Sequence, residues 1–90
     1  MTNLPPELRE QVRLSLLRYG LRRTRTGMFR AQLNAEGFKL SADDVELELA
    51  YLADKGLVSV ENKMVSPENA FWRTTAAGRD YLALQKEETA

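Results

Sequence analysis

Ninety residues, 43% hydrophobic and 29% charged, suffice for one globular domain with one core, and leave no room for a deep substrate cavity beside it. Cysteine and histidine are both absent, which excludes disulfides, thiolate metal sites and the usual general base near neutral pH. The formal net charge is zero, but residues 1–40 carry eight bases against three acids and residues 41–90 five bases against ten acids, so that +5 faces −5 and one basic and one acidic surface are expected.

Pro5 and Pro6 open the first predicted helix, because amides of a first turn have no helical partner to lose. Glu7 and Glu10 then sit near the positive end of its dipole. Leu8, Val12 and Leu16 recur at four-residue spacing with Leu17 and Tyr19 beside them, predicting an amphipathic helix over 6–19 that Gly20 ends. Leu21 to Thr26 reads as a basic linker. Thr26 reads as the cap of a short helix over 27–36, buried through Met28, Phe29 and Leu33 and ended by Gly37. Ser41, with Asp44 three residues on, is a capping signal for a third helix over 41–55. Its core stripe is Val45, Leu49 and Leu52, with Ala42 and Ala53 alongside and Gly56 as the stop.

Leu57 to Val60 is rich in β-branched residues and reads as a strand, and Phe71 to Thr74 as its returning partner. Asn62-Lys63 and Pro67-Glu68-Asn69 are turn signals between them. Thr75 caps a last helix over 76–86, with Tyr81, Leu82 and Leu84 as apolar positions, and residues 87–90 are expected to fray. The predicted fold is mainly α with a small β part, in a single domain over 1–90: a three-helix core, a β-hairpin wing over about 57–75 and a C-terminal helix.

The segment Tyr51-Leu52-Ala53-Asp54-Lys55-Gly56-Leu57-Val58-Ser59-Val60, followed by Trp72-Arg73-Thr74-Thr75-Ala76-Ala77-Gly78-Arg79-Asp80-Tyr81-Leu82, resembles the ending shared by winged-helix regulators of the MarR, ArsR and PadR types. In that ending a leucine–x–x–x–glycine–leucine–valine helix exit leads into the wing, and threonine–x–x–glycine starts the closing helix. Asp44-Val45-Glu46-Leu47-Glu48-Leu49-Ala50-Tyr51-Leu52 is similar to a family of short winged-helix proteins from Mu-like phages and prophages. The resemblance spans about residues 6–84. It implies a winged helix-turn-helix fold and a regulatory, DNA-binding role in a phage or prophage setting. Two departures limit it: the cysteine or histidine ligands of ArsR-type metal sensors are missing, and 90 residues leave no room for long MarR-type dimerisation helices.

In a helix-turn-helix protein the second helix of the motif enters the major groove, here residues 41–55. With Val45 facing the core, helical periodicity puts Asp43, Leu47, Ala50 and Asp54 on the far face and Asp44, Glu46 and Tyr51 at its borders. Along this helix Asp43, Asp44, Glu46, Glu48 and Asp54 oppose one base, Lys55. Phosphate affinity rests on basic side chains, and base reading most often on arginine, lysine, asparagine or glutamine. Three uses of the face stay open: a solvated acidic surface with an ordinary cap, a protein-binding face built on Leu47 and Tyr51 with Asp43 and Glu46, or a major-groove reader.

Arg18, Arg22, Arg23, Arg25 and Arg30 fall within thirteen residues, with no acid between Glu10 and Glu36. Arginine clamps phosphate well because its planar fork binds two oxygens at once. Lys63 and Arg73 would add contacts from the wing. The competing reading is solubility and pairing with the protein's own acids. If DNA is bound, this basic edge and the wing are expected to lead, not the third helix. The alternatives are a protein-interaction module, such as a phage accessory or assembly factor, acting through the acidic third helix, and a homodimer that sets one copy's basic edge against another's acidic helix.

An enzyme is not expected. The serines have no histidine to activate them, and Asp43, Asp44, Glu46 and Glu48 diverge around a helix instead of converging on an ion. Trp72 reads as an anchor of the wing to the core, and no phosphate-cradling glycine loop is present. No cofactor and no small-molecule substrate are implied. With no apolar run of membrane length and no basic-then-apolar leader, a cytoplasmic protein without a membrane partner is expected.

Overall fold

The computed structural model describes residues 5–61 and 70–89. In chain order its elements are α1 (Pro6–Tyr19), β1 (Thr24–Arg25), α2 (Thr26–Ala35), α3 (Ala42–Asp54), β2 (Val58–Glu61), β3 (Phe71–Thr74) and α4 (Ala76–Thr89). The architecture is α+β: four helices and a three-stranded antiparallel sheet in the order β1-β3-β2. The turn signals at 62–63 and 67–69 lie outside the described residues.

The helix ends follow from local chemistry. Pro6 occupies the first position of α1, behind an extended Pro5. At α3 the Ser41 Oγ accepts from the Asp44 amide, and the Asp44 carboxylate accepts from the Ser41 amide, each at 3.1 Å. Gly37 and Gly56 adopt φ of 109° and 75°, the left-handed region that only glycine enters cheaply. The amides that follow, of Phe38 and Leu57, turn back to the carbonyls of Leu33 and Leu52, which closes α2 and α3 in the same way. The Thr75 Oγ1 accepts from the Gly78 amide at 3.1 Å and donates to the Gly56 carbonyl at 2.7 Å, so the start of α4 is tied to the exit of α3.

One side of each of the first three helices supplies the core: Val12, Leu16 and Leu17 from α1, Phe29 and Leu33 from α2, Val45, Leu49 and Leu52 from α3. Leu40, Val58, Ala70 and Trp72 complete it. Two predicted core residues stay outside. Met28 is 50% exposed, because Phe29 and Leu33 define the buried side of α2 and Met28 falls about 100° from it. Leu8 is also exposed, at 36%.

The predicted basic linker contains a strand. Thr24 pairs with Trp72 and Arg25 with Phe71, and the flanking bonds Thr74 N to Gly20 O and Thr26 N to Ala70 O extend the seam at both ends. Thr26 is consequently the first residue of α2 and not its cap. Its buried hydroxyl accepts the Trp72 indole N–H at 2.8 Å. Gly20 ends α1 with right-handed φ (−78°), so its small size answers another need: a Cβ there would lie 2.7 Å from Thr74 Oγ1. Gly78 is tighter still, since a Cβ would lie 2.2 Å from the Leu57 carbonyl oxygen.

Charge is less segregated than the sequence suggests. Glu48 is buried and bonds Arg13 Nε at 2.6 Å, with Arg9 Nε at 4.0 Å. The Arg13 guanidinium lies 3.8 Å over the Tyr51 ring. Glu48 therefore belongs to the α1–α3 contact and not to an acidic surface, and two of the eight bases in residues 1–40 answer it.

Helix α4 is joined to α1 by the Tyr81 hydroxyl, which donates to Glu10 Oε1 at 2.7 Å. That bond, then partial burial and the neighbouring carboxylate charge, raise the phenol above its ordinary 10.0. The neutral phenol is the favoured form in the fold. Its contribution to stability is fully present below about pH 10 and is lost as pH rises through the raised folded value. An ultraviolet phenolate titration of the three tyrosines is expected to show one titrating late, and Glu10→Ala is expected to bring it back toward the others. Three tyrosines unchanged by Glu10→Ala would show that the bond is absent in solution.

Among the described residues no helix is long and apolar enough to cross a membrane, and no group of three or more acidic side chains is placed to hold a metal ion.

Candidate nucleic-acid interface

Strand pleating decides which side chains of the sheet meet solvent. Along β3, Trp72 and Thr74 point to the core while Phe71 and Arg73 point away. Cross-strand partners share a face, so Arg25 on β1 and Glu61 on β2 join Phe71, and Ser59 joins Arg73. Arg23, just before β1, reaches onto the same face: its guanidinium lies 3.8 Å over the Phe71 ring, and its Nε is 3.5 Å from Glu61 Oε2. The outer face of the sheet thus gathers Arg23, Arg25 and Arg73 around Phe71, against one carboxylate among the described residues.

The Arg23–Glu61 pair is solvent-exposed at both ends, so it holds Arg23 weakly and another anion can replace it at little cost. Arg22 is exposed in the turn that leads to β1. Its carbonyl accepts from the Thr24 hydroxyl at 2.8 Å, which shapes that turn. Arg25 also occupies the cap position of α2, so the positive end of that helix dipole adds to the field at the sheet edge.

The other predicted phosphate contacts lie elsewhere. Arg18 is in the last turn of α1, donates to Ser15 Oγ at 3.0 Å and borders a groove between α1 and α4. Arg30 donates to the Leu40 carbonyl at 3.1 Å and, with Asn34, holds the turn between α2 and α3. Lys63 lies outside the described residues. Of the seven bases singled out from sequence, three share the sheet face and Arg22 adjoins it. Phe71 was not among the predicted site residues. Its signal was available in the alternation of Phe71-Trp72-Arg73-Thr74: once Trp72 is inward, Phe71 and Arg73 must be outward.

On α3, Asp43, Leu47, Ala50 and Asp54 are exposed, with Leu47 at 52%, and Glu46 is half-buried. Tyr51 is exposed at its rim, but its ring already carries the Arg13 guanidinium on one face, and Lys55 Nζ lies 5.6 Å from its centroid. Asp44 is engaged in the cap of α3. The outer side of α3 is therefore an exposed leucine with acids about it, and the bases face solvent from the sheet.

The chain matches no protein-family model, and no curated protein matches it in sequence.

Proposed function

We propose that this chain is a non-enzymatic winged helix-turn-helix protein that binds duplex DNA through its basic sheet face and wing, in a regulatory role. The observation that carries the reading is the convergence of Arg23, Arg25 and Arg73 on one exposed face around Phe71. The element order supports the winged-helix part: three helices, a short strand after the first, and a hairpin to which that strand pairs. The resemblance to short winged-helix proteins of Mu-like phages and prophages supports a phage or prophage setting.

Phosphates meet arginines on the sheet, while an acidic α3 would repel them. The contact on this reading is backbone-led and weakly sequence-selective. Fluorescence anisotropy of a labelled mixed-sequence duplex, at ~50 and ~200 mM salt, tests it. Affinity is expected to fall steeply with salt. Arg23→Ala, Arg25→Ala and Arg73→Ala together are expected to make the log–log salt slope shallower by roughly one per arginine removed. No binding at the lower salt, or an unchanged slope in the triple variant, would refute it.

A second reading is favoured by one observation. Leu47 stands half exposed between Asp43, Ala50 and Asp54, which suits a basic protein partner with an apolar anchor. Under that reading Leu47→Ser, and not the arginine variants, abolishes the interaction.

A further inference from the structure

The core stops short of the seam between α1 and α4. Leu82 packs against the core and Leu14 is half-buried, but beside them lies an open groove of about 570 Å³ that Leu21 and Ala83 also line. Helical spacing builds its walls: Leu14 and Arg18 are one turn apart on α1, and Arg79 lies within one turn of Leu82 and Ala83 on α4. Small-molecule sites occupy about 300–1,000 Å³ and have the same make-up, a mostly apolar lining with a few polar groups in fixed places.

The charge in the groove has one sign. Arg18 and Arg79 are its charged members, and among the described residues neither pairs with a carboxylate. Arg18 has a neutral partner, the Ser15 hydroxyl, and the Arg79 side chain has none among the described residues. Arg9, Arg13 and Arg23, by contrast, each meet an acid of the chain itself. Two guanidiniums beside an apolar wall suit an anion with an apolar body, because the planar fork matches a carboxylate or sulfonate and the wall covers the rest. We propose that the groove is a binding site for a small amphipathic organic acid. The apolar body lies on Leu14, Leu21 and Leu82, and Arg18 and Arg79 take the acid group. A bare inorganic anion would leave the leucines unused, and a neutral apolar molecule the arginines. A docked helix needs anchors over two or more turns, whereas the α4 wall from Arg79 to Gln85 spans about 9 Å at 1.5 Å per residue, less than two turns. The groove shares no residue with the basic sheet face and does not depend on DNA being bound there.

Fluorescence titration of the full chain with anilinonaphthalene sulfonate, and with its neutral relative phenylnaphthylamine, tests this, with circular dichroism as the check on folding of each variant. The sulfonate is expected to brighten in a saturable one-to-one complex with the folded wild-type chain. Arg18→Gln combined with Arg79→Gln is expected to raise the sulfonate's dissociation constant about tenfold or more and to move that of the neutral probe by less than about twofold. Ala83→Phe fills the groove from an exposed helix position and is expected to abolish binding of both probes. Arg23→Ala with Arg25→Ala is expected to leave both unchanged. A folded wild-type chain that does not bind the sulfonate overturns the proposal. So does an affinity untouched by the glutamine pair or by Ala83→Phe, or one lost in the sheet variants. A wild-type chain that excludes the probe and sediments as a dimer, and that Ala83→Phe makes monomeric, would give the groove to a second copy and overturn it equally.

Discussion

Trp72→Ala is expected to lower the unfolding free energy by about 3–5 kcal/mol, the usual range for removing a large buried aromatic. For a domain of this length, with a total near 5–13 kcal/mol, that is a large share of its stability. The side chain is 3% exposed, and its strand pairs with Thr24 on one side and Val60 on the other. The indole therefore anchors the middle of the sheet to the helices, and its N–H reaches Thr26 at the first turn of α2. Trp72→Phe keeps most of the packing and loses the bond, so it should fall between the alanine variant and the wild type. Thr26→Val leaves the buried N–H without that acceptor, at about 1–3 kcal/mol. Urea unfolding followed by circular dichroism reads all three. An alanine variant within about 1 kcal/mol of wild type would mean the hairpin is not anchored through this residue.

Glu48→Ala is expected to cost about 3–5 kcal/mol, because it strands Arg13, whose side chain is only 19% exposed. Arg9, at 42%, can turn to water and loses less. Burying a paired charge is itself expensive, so replacing both partners with apolar groups of similar size removes the penalty along with the attraction. Arg13→Met combined with Glu48→Leu should accordingly lie much nearer the wild type than Glu48→Ala does. For a chain of this size each kcal/mol moves the melting temperature by about 4–8 °C, so single and double variants separate clearly in a thermal melt. If the double variant melts as low as the single one, the α1–α3 contact depends on the geometry of the pair and not on the cancelling of its charge.

Much of the helical framework is legible residue by residue, because its signals are local. Pro6, the Ser41–Asp44 pair, Thr75 and the left-handed Gly37 and Gly56 act within one turn of the helix ends they set. The apolar spacing of Val12 and Leu16, and of Val45, Leu49 and Leu52, identifies the core sides of α1 and α3 in the same way. β1 is illegible for the opposite reason. Two residues show no periodicity, and Thr24 and Arg25 become a strand only because β3, more than forty residues later, offers its free edge.

The candidate site divides along the same line. That the chain has a cluster of arginines and an acidic third helix is a property of the sequence. Which arginines act together is not. Arg73 joins Arg23 and Arg25 through strand register, while Arg18 and Arg30, neighbours of those two in sequence, are carried by α1 and α2 to other parts of the surface. Glu48 reads as one more acid on an exposed helix until α1 packs across it and turns it into a buried partner of Arg13. The sequence by itself determined where α1 and α3 begin and end and how much charge the chain carries, because capping, propensity and composition act over a few residues. Only the tertiary structure decided which charges face solvent together and which neutralise each other, because burial and pairing depend on residues brought close by packing and not by order along the chain.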